Sequence, residues 1–264
     1  MRIATWNINS VRLRMNWIAR LAQESNPDVI CLQETKVRDE LFPEDDIRAI
    51  GYEHIAFAGM KSYNGVAILS RVPLEMVHTL NWCGKEDCRH IAATLPGGIE
   101  LHNFYVPAGG NEADREKNEK FGYKLDFLDE MTGWFSTNRS ARDKMILVGD
   151  LNIAPLETDV WSHKQLLKVV SHTPVEVEKL GQVQDSVEWI DAVRHVIPPA
   201  ERLYSWWSYR AKDWTAANRG RRLDHIWVTP PLADAIRTAD VVRDARSWEK
   251  PSDHAPVMVD FEEF

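Results

Sequence analysis

Short apolar runs rich in β-branched residues recur along the whole chain: "DVICLQE", "NGVAILS", "RHIAATLP", "IELHNFYVP", "KMILVGDLN", "LDHIWVT" and "APVMVDF". Runs of this length, bounded by polar and turn residues, read as strands. Those within 64–70 and 90–106 come without an intervening helix, which points to antiparallel or mixed sheets rather than a doubly wound parallel one. Helical spacing appears elsewhere, in Leu13, Trp17 and Leu21, in Phe121, Leu125, Leu128, Met131 and Phe135, and in Val187, Ile190, Val193 and Ile197. The class is therefore α/β. No linker, low-complexity tract or short repeat divides the 264 residues, and "HVIPPA" and "TPPL" read as loop punctuation. Residues 1–264 are expected to form one domain, and a 44% hydrophobic content is enough for its core.

Several function classes are disfavoured. No apolar run reaches the roughly eighteen residues of a membrane span, and the chain enters a strand-like pattern at Arg2, leaving no room for a signal peptide. A soluble, cytoplasmic protein is expected. Three cysteines, Cys31, Cys83 and Cys88, form no disulfide framework, and Cys83, Cys88 and His90 fit no common zinc spacing, so free thiols are the expectation. A net charge of −8 opposes general affinity for a polyanion, so nucleic acid must be met by a local patch. One segment offers it: Arg202 to Arg222 carries a local charge of +5, with Tyr204, Trp206, Trp207, Tyr209 and Trp214 interleaved.

The unusual residues stand where strands stop. Asn7 ends "RIATWN", Glu34 ends "VICLQE", Tyr105 ends "ELHNFY", and Asp150 with Asn152 ends "ILVGDLN". Ligands collect outside strand ends in layered α/β folds, so one shared pocket is expected. Each residue also has a bland alternative: Asn7 and Asn152 as turn caps, Asp150 as a cap of the next helix, Glu34 as a partner of Lys36. Asp253 and His254 stand together in "PSDHAPV", and Asp224 precedes an apolar strand. His225, next to Asp224, faces the other way along a strand and is read as structural.

Taken in order, "TWNINSVR", "LQETK", "NGVAILS", "GDLNIAP", "LDHIWV" and "SDHAPV" resemble the exonuclease III family of abasic-site endonucleases, within the endonuclease/exonuclease/phosphatase superfamily. The resemblance implies a four-layer α/β sandwich, two mixed sheets face to face with helices outside and the site at one end between them. It implies Glu34 as a ligand of a divalent metal, with Asn7 beside it and Asp253 able to reach the ion. It implies Asp150 as the residue that orients and deprotonates the attacking water, Asn152 on the scissile phosphate, Tyr105 near that phosphate, and Asp224 bonded to a catalytic His254. Trp206 matches an aromatic packed by an extrahelical abasic sugar, and Arg210, Asn218 and Arg219 match phosphate-side contacts. One departure is "YVPAGGNEADREKNEK", where Ala108 stands before Gly109 in place of a larger polar residue.

The chemistry suits those residue types. Phosphodiester cleavage builds negative charge, so positioning and neutralisation dominate. Magnesium takes oxygen ligands and one or two carboxylates, which Glu34, Asn7 and Asp253 supply without a thiol; manganese can substitute. A carboxamide two positions after Asp150 shares its side of a strand and meets a phosphate without repelling it. His254, held by Asp224, is expected to be protonated. The expected partner is double-stranded DNA, especially abasic sites and 3′ ends, acted on by a monomer. Two other readings compete: a phosphoesterase for a sphingolipid, an inositol phosphate or RNA, which the tryptophan and arginine segment disfavours, and a binding module, which the intact site residues disfavour.

Overall fold

Alternation along each strand decides what the fold buries, and the strands themselves are set by the β-branched runs. The structure, a computed structural model, describes residues 1–262. In chain order the strands are β1 (Arg2–Asn7), β2 (Val29–Gln33), β3 (His54–Ala58), β4 (Val66–Ser70), β5 (Glu75–His78), β6 (His90–Leu95), β7 (Ile99–Tyr105), β8 (Met145–Asp150), β9 (Ile190–Asp191), β10 (Trp206–Trp207), β11 (Gly220–Arg221), β12 (Asp224–Val228), β13 (Ile236–Val241) and β14 (Val257–Phe261). The helices are α1 (Met15–Ser25), α2 (Glu44–Ala49), α3 (Glu119–Asn138), α4 (His163–Leu166), α5 (Pro174–Asp185), α6 (Ala192–Val196) and α7 (Trp214–Ala217).

Two six-stranded sheets form, in the orders β13-β14-β1-β2-β4-β3 and β5-β6-β7-β8-β12-β9. Each is mixed: β1 and β2 are parallel, as are β7 and β8, while neighbouring pairs such as β2 with β4 and β6 with β7 are antiparallel. Between the sheets lies a core of Ile3, Val29, Leu101, Val148, Ile226 and Val259, one residue in two from each strand. The alternate residues face outward. Ala4, Trp6, Ile30 and Leu32 pack against Ile18, Leu21 and Ile47 of α1 and α2. Phe104, Leu147 and Trp227 pack against Phe127, Leu128, Leu180 and Val183 of α3 and α5. Two helical layers enclosing two sheets make the expected four-layer α/β sandwich. None of the described helices is long and apolar enough to cross a membrane.

Two helical expectations change. Across 187–197 the chain makes an edge strand and then a helix of five residues, not one long helix. Ile190 pairs with Val228, and the Asp191 side chain then caps α6 by accepting from the Arg194 N–H at 3.1 Å. Val187 and Val193 also enter different cores, the outer and the central one, so they never shared a helix face. At the start of the chain Leu13 is exposed, because α1 begins at Met15 and buries Ile18, Leu21 and Ala22. A capping box opens α5, where Thr173 and Glu176 each satisfy the other's backbone N–H.

Candidate active site

The alternation that fills the central core continues to the strand ends, where the inward positions become polar: Asn7, Gln33, Tyr105, Asp150 and Asp224. Register sets three of them side by side, Tyr105 opposite Asp150 and Asp150 opposite Asp224 on β7, β8 and β12. Gly149 makes this approach possible. Its φ is +143°, and a Cβ there would lie 1.9 Å from the Phe104 carbonyl oxygen.

Asn7 joins the two halves of the chain. Its Nδ2 donates to Glu34 Oε2 and to Asp150 Oδ2, both at 2.9 Å. Farther along, His254 Nδ1 bonds Asp224 Oδ2 at 2.8 Å and its Nε2 stands 3.7 Å from Asp150 Oδ2. Burial pushes the Asp150 carboxyl up to about 7, against the pull of the His254 cation. Burial alone would also strip His254 of its proton, but the charges of Asp224 and Asp150 outweigh it and hold the imidazolium to about 10. At neutral pH the histidine is a cation, bonded to the Asp224 carboxylate and facing an Asp150 carboxyl poised near its own midpoint. Tyr105 is nearly enclosed, and burial with the Glu34 and Asp150 charges raises its phenol well above the usual range.

These groups form the floor of a cleft of about 940 Å³. Asn7, Glu34, Tyr105, Asp150, Asn152, Asp253, His254, Trp206, Arg210 and Arg219 all line it. Asp224 lies behind His254, wholly buried. Asn218 does not line the cleft: it caps α7 and turns its Oδ1 to Trp207 Nε1 and Arg243. The basic segment is likewise divided. Arg222 is buried and paired with Asp159 and Asp191, and Arg202 lines a separate pocket with Asn218, so the cleft receives only Arg210, Arg219 and Arg221. Of the aromatics, Tyr204 and Trp207 are core, while Trp206 forms cleft wall.

Asn152 sits beside Asp150 for a reason other than strand alternation. Strand β8 ends at Asp150, and Asn152 adopts a left-handed conformation with φ +55°. Its N–H donates to Asp150 Oδ1 at 3.0 Å, and its Nδ2 donates to Asp150 Oδ2 at 3.1 Å and the Val106 carbonyl at 2.9 Å. Glu34 is left-handed too, with φ +56°. Strained backbone of this kind clusters at functional sites.

The donor chemistry at Glu34 fits a hard divalent cation. Its Oε1 pairs with Lys36 Nζ at 2.6 Å, and that ammonium also donates to Asn9 Oδ1 at 2.7 Å. One cation already gathers two oxygens there, at the edge of the cleft. Asn7 faces the carboxylates with its nitrogen while its oxygen accepts the Asn9 N–H, so here it bridges rather than offers a ligand atom. Asp253 is engaged by Asn9 Nδ2 and Trp206 Nε1. Asp150, Asp224 and His254 also bring ligand atoms within 4.8 Å of one another. Their centre is filled by the imidazolium and its bond to Asp224, and a second cation would have to displace that proton. Glu34, open to the cleft, is the better anchor.

Several supporting residues carried no obvious sequence signal. Ser205 Oγ donates to Asp224 Oδ2 at 2.6 Å, and Ser252 Oγ donates to the Asn7 carbonyl at 2.6 Å. Lys124 and Glu176 form a wholly buried pair beneath the cleft, and Lys124 Nζ donates to the Asn152 carbonyl at 2.8 Å. Here a signal existed: Lys124 interrupts the apolar face formed by Phe121, Leu125 and Leu128. The Ala108–Gly109 turn rests on the same lysine, with Lys124 Cδ 2.9 Å from where a Gly109 Cβ would stand. His225 faces the outer layer, with Nε2 2.8 Å from the Ile153 carbonyl, and burial lowers it to about 4. The three cysteines are free, and burial pushes the Cys83 thiol up to about 12.

Residues 4–254 match the Endonuclease/Exonuclease/phosphatase family. Over 273 residues the chain is 32% identical to exodeoxyribonuclease III of Haemophilus influenzae, covering 99% of this chain and 100% of that one. An AP endonuclease from Archaeoglobus fulgidus has the same fold, with a TM-score of 0.93 at 35% identity and 100% of both chains covered. A 3′ phosphatase from Neisseria, solved with a product DNA hairpin, gives 0.90 at 32% identity, again over 100% of both chains. With its two mixed sheets and its strand-end cluster, the chain belongs to the endonuclease/exonuclease/phosphatase family and, within it, to the exonuclease III group.

Proposed function

We propose that the cleft hydrolyses phosphodiesters in duplex DNA, cutting 5′ of abasic sites and trimming 3′ ends by attack of water. The observation that carries this reading is the convergence of Glu34, Asn7, Asp150 and His254 on one cleft floor, below a wall of Trp206, Arg210 and Arg219. Asp150 takes the proton of the attacking water; Asn7 and Asn152 hold its carboxylate in place. Imidazolium His254 faces the phosphate and answers its growing charge, while Asp224 keeps it protonated. Asn152 can turn the hydrogen it gives Asp150 toward a phosphate oxygen. Glu34, with Asp253 within the same cleft, would hold magnesium or manganese, which supplies charge neutralisation and orientation of water.

Substrate preference follows from the wall. An abasic nucleotide has no base stacking to lose on leaving the helix, and Trp206 offers a flat apolar surface for its sugar. All these groups come from one chain, so a monomer suffices and residues 1–264 act as one catalytic unit. The test is Asp150→Asn on a duplex with one abasic site: turnover should fall by about 10²- to 10⁴-fold, with DNA affinity within a few-fold. A variant cutting at the wild-type rate would remove Asp150 as the base, and faster release of phosphate from an inositol phosphate than from DNA would overturn the substrate.

A further inference from the structure

The cleft wall holds a guanidinium with no acidic partner. Arg221 on β11 stands opposite Trp206 on β10, its Cζ 5.3 Å over the indole ring. Nη1 donates to the Val170 carbonyl at 2.9 Å and Ser171 Oγ at 2.7 Å, and Nε is buried without a partner. Its neighbour Arg222 is neutralised by Asp159 and Asp191, whereas Arg221 makes no ion pair among the described residues. Burial lowers its pKa from the usual arginine range, opposed only by the more distant Glu176. The mount is rigid: Ser171 N–H donates to both Glu176 oxygens at 2.9 Å, and Glu176 is fixed by the buried Lys124. Such a cation, desolvated and held still in the wall of a phosphate cleft, is complementary to an anion that the protein does not provide.

An internal abasic linkage presents a neutral sugar to the Trp206 wall and one negative charge at phosphorus. A 3′ end that carries a terminal phosphate has no sugar there and nearly one more negative charge. We propose that Arg221 is a specificity-determining residue that biases this cleft toward 3′ ends bearing a terminal phosphomonoester, by binding the extra charge in the space an abasic sugar would fill. The inference rests on the nuclease reading above. In the reaction water adds to phosphorus and the P–O3′ bond breaks. The water's proton passes to Asp150, the departing O3′ takes a proton from solvent water, and inorganic phosphate and a 3′-hydroxyl are released.

Two duplexes test it, one nicked with a 3′-phosphate and one with an internal tetrahydrofuran abasic analogue, each assayed for kcat/KM with the same enzyme. In R221Q the ratio of phosphate release to abasic incision should fall on the order of 30-fold, the worth of one charge-assisted hydrogen bond. R221K, which keeps the charge, should recover most of that ratio. S171A, which leaves Nη1 held by the Val170 carbonyl alone, should lower it by about threefold, a smaller loss than removal of the charge itself. General damage to folding lowers both rates and cancels in the ratio. A fall of less than about fivefold in R221Q overturns the inference, since even a weak charge-assisted bond exceeds it. A wild-type enzyme that cuts the abasic duplex but releases no phosphate from the nick overturns it too, and leaves the nuclease reading standing. Failure on both duplexes sinks that reading itself.

Discussion

His254 owes its charge to position rather than to its own chemistry. Nδ1 is bonded to Asp224 while Nε2 faces Asp150, so two carboxylates raise an imidazole that burial alone would have neutralised. Asp224→Asn removes the nearer charge and leaves the ring shape unchanged. The expected result is a His254 pKa lower by roughly one to three units, so that the ring loses its proton at a lower pH than in the wild type. An NMR titration of the His254 ring reads this directly, and an unmoved midpoint would mean that Asp150 alone holds the proton. The same residue shows how far the sequence could be read. "SDHAPV" and "LDHIWV" mark His254 and Asp224, but nothing in either motif says that Ser205 Oγ bonds the remote carboxylate, because that contact forms only when the residue before β10 folds against the first residue of β12.

At the scale of elements, the floor of the cleft depends on loops tied to helices behind it. Lys124 of α3 reaches through the outer layer to the Asn152 carbonyl and pairs with Glu176, whose oxygens also hold the N–H groups of Ser171 and Thr173. One buried ion pair thus fixes both the left-handed turn at Asn152 and the segment that mounts Arg221. Lys124→Met leaves Glu176 buried without its cation and should cost about 3–5 kcal/mol of stability, while K124M combined with E176L should recover much of it. Urea unfolding of both variants checks the pair; a single variant as stable as the wild type would mean that the buried pair does not hold the cleft floor in place. A second tie crosses between the sheets, where Gln33 Nε2 donates to Thr5 Oγ1 and Asn103 Oδ1, and Asn103 Nδ2 returns to the Leu32 and Ala67 carbonyls. These polar residues stand at inward positions of otherwise apolar strands. In sequence they look like defects in the alternation; in the fold the Gln33 and Asn103 amide nitrogens find acceptors in both sheets, and Gln33 Oε1 is left buried without a partner.

Across the whole molecule, four buried histidines lower stability in acid, while Asp150, raised to about 7 by burial, acts with the opposite sign. His90, His102, His172 and His225 are all drawn below the usual histidine value, with burial the largest cause in each. Each stays neutral in the folded state while the unfolded chain takes up a proton below about pH 6.5, so stability falls as pH drops through that value. His254 has the opposite sign: its contribution is complete below about pH 6.5 and is lost as pH rises toward about 10. For His225 alone, held to about 4, the loss between about pH 7.5 and about pH 5.5 comes to about 1 kcal/mol. His225→Gln, which keeps a donor for the Ile153 carbonyl, should flatten the urea-measured stability difference across that interval by this amount. An unchanged slope would assign the acid sensitivity to the other three. What the sequence determined alone is the central strands β1, β2, β4, β6, β7, β8, β12 and β14 and the polar residues at their ends, because a long β-branched run is a local property of the chain; the edge strands β3, β5, β9 and β13 and the β10–β11 pair carried no such run and form only against their neighbours. Which arginine of the adjacent pair 221 and 222 enters the cleft, why Asn218 stays outside it, how Asn152 reaches Asp150 and where Lys124 finds its carboxylate were decided by tertiary structure. Loop paths and ion pairs between residues far apart in the chain exist only once the two sheets have closed on each other.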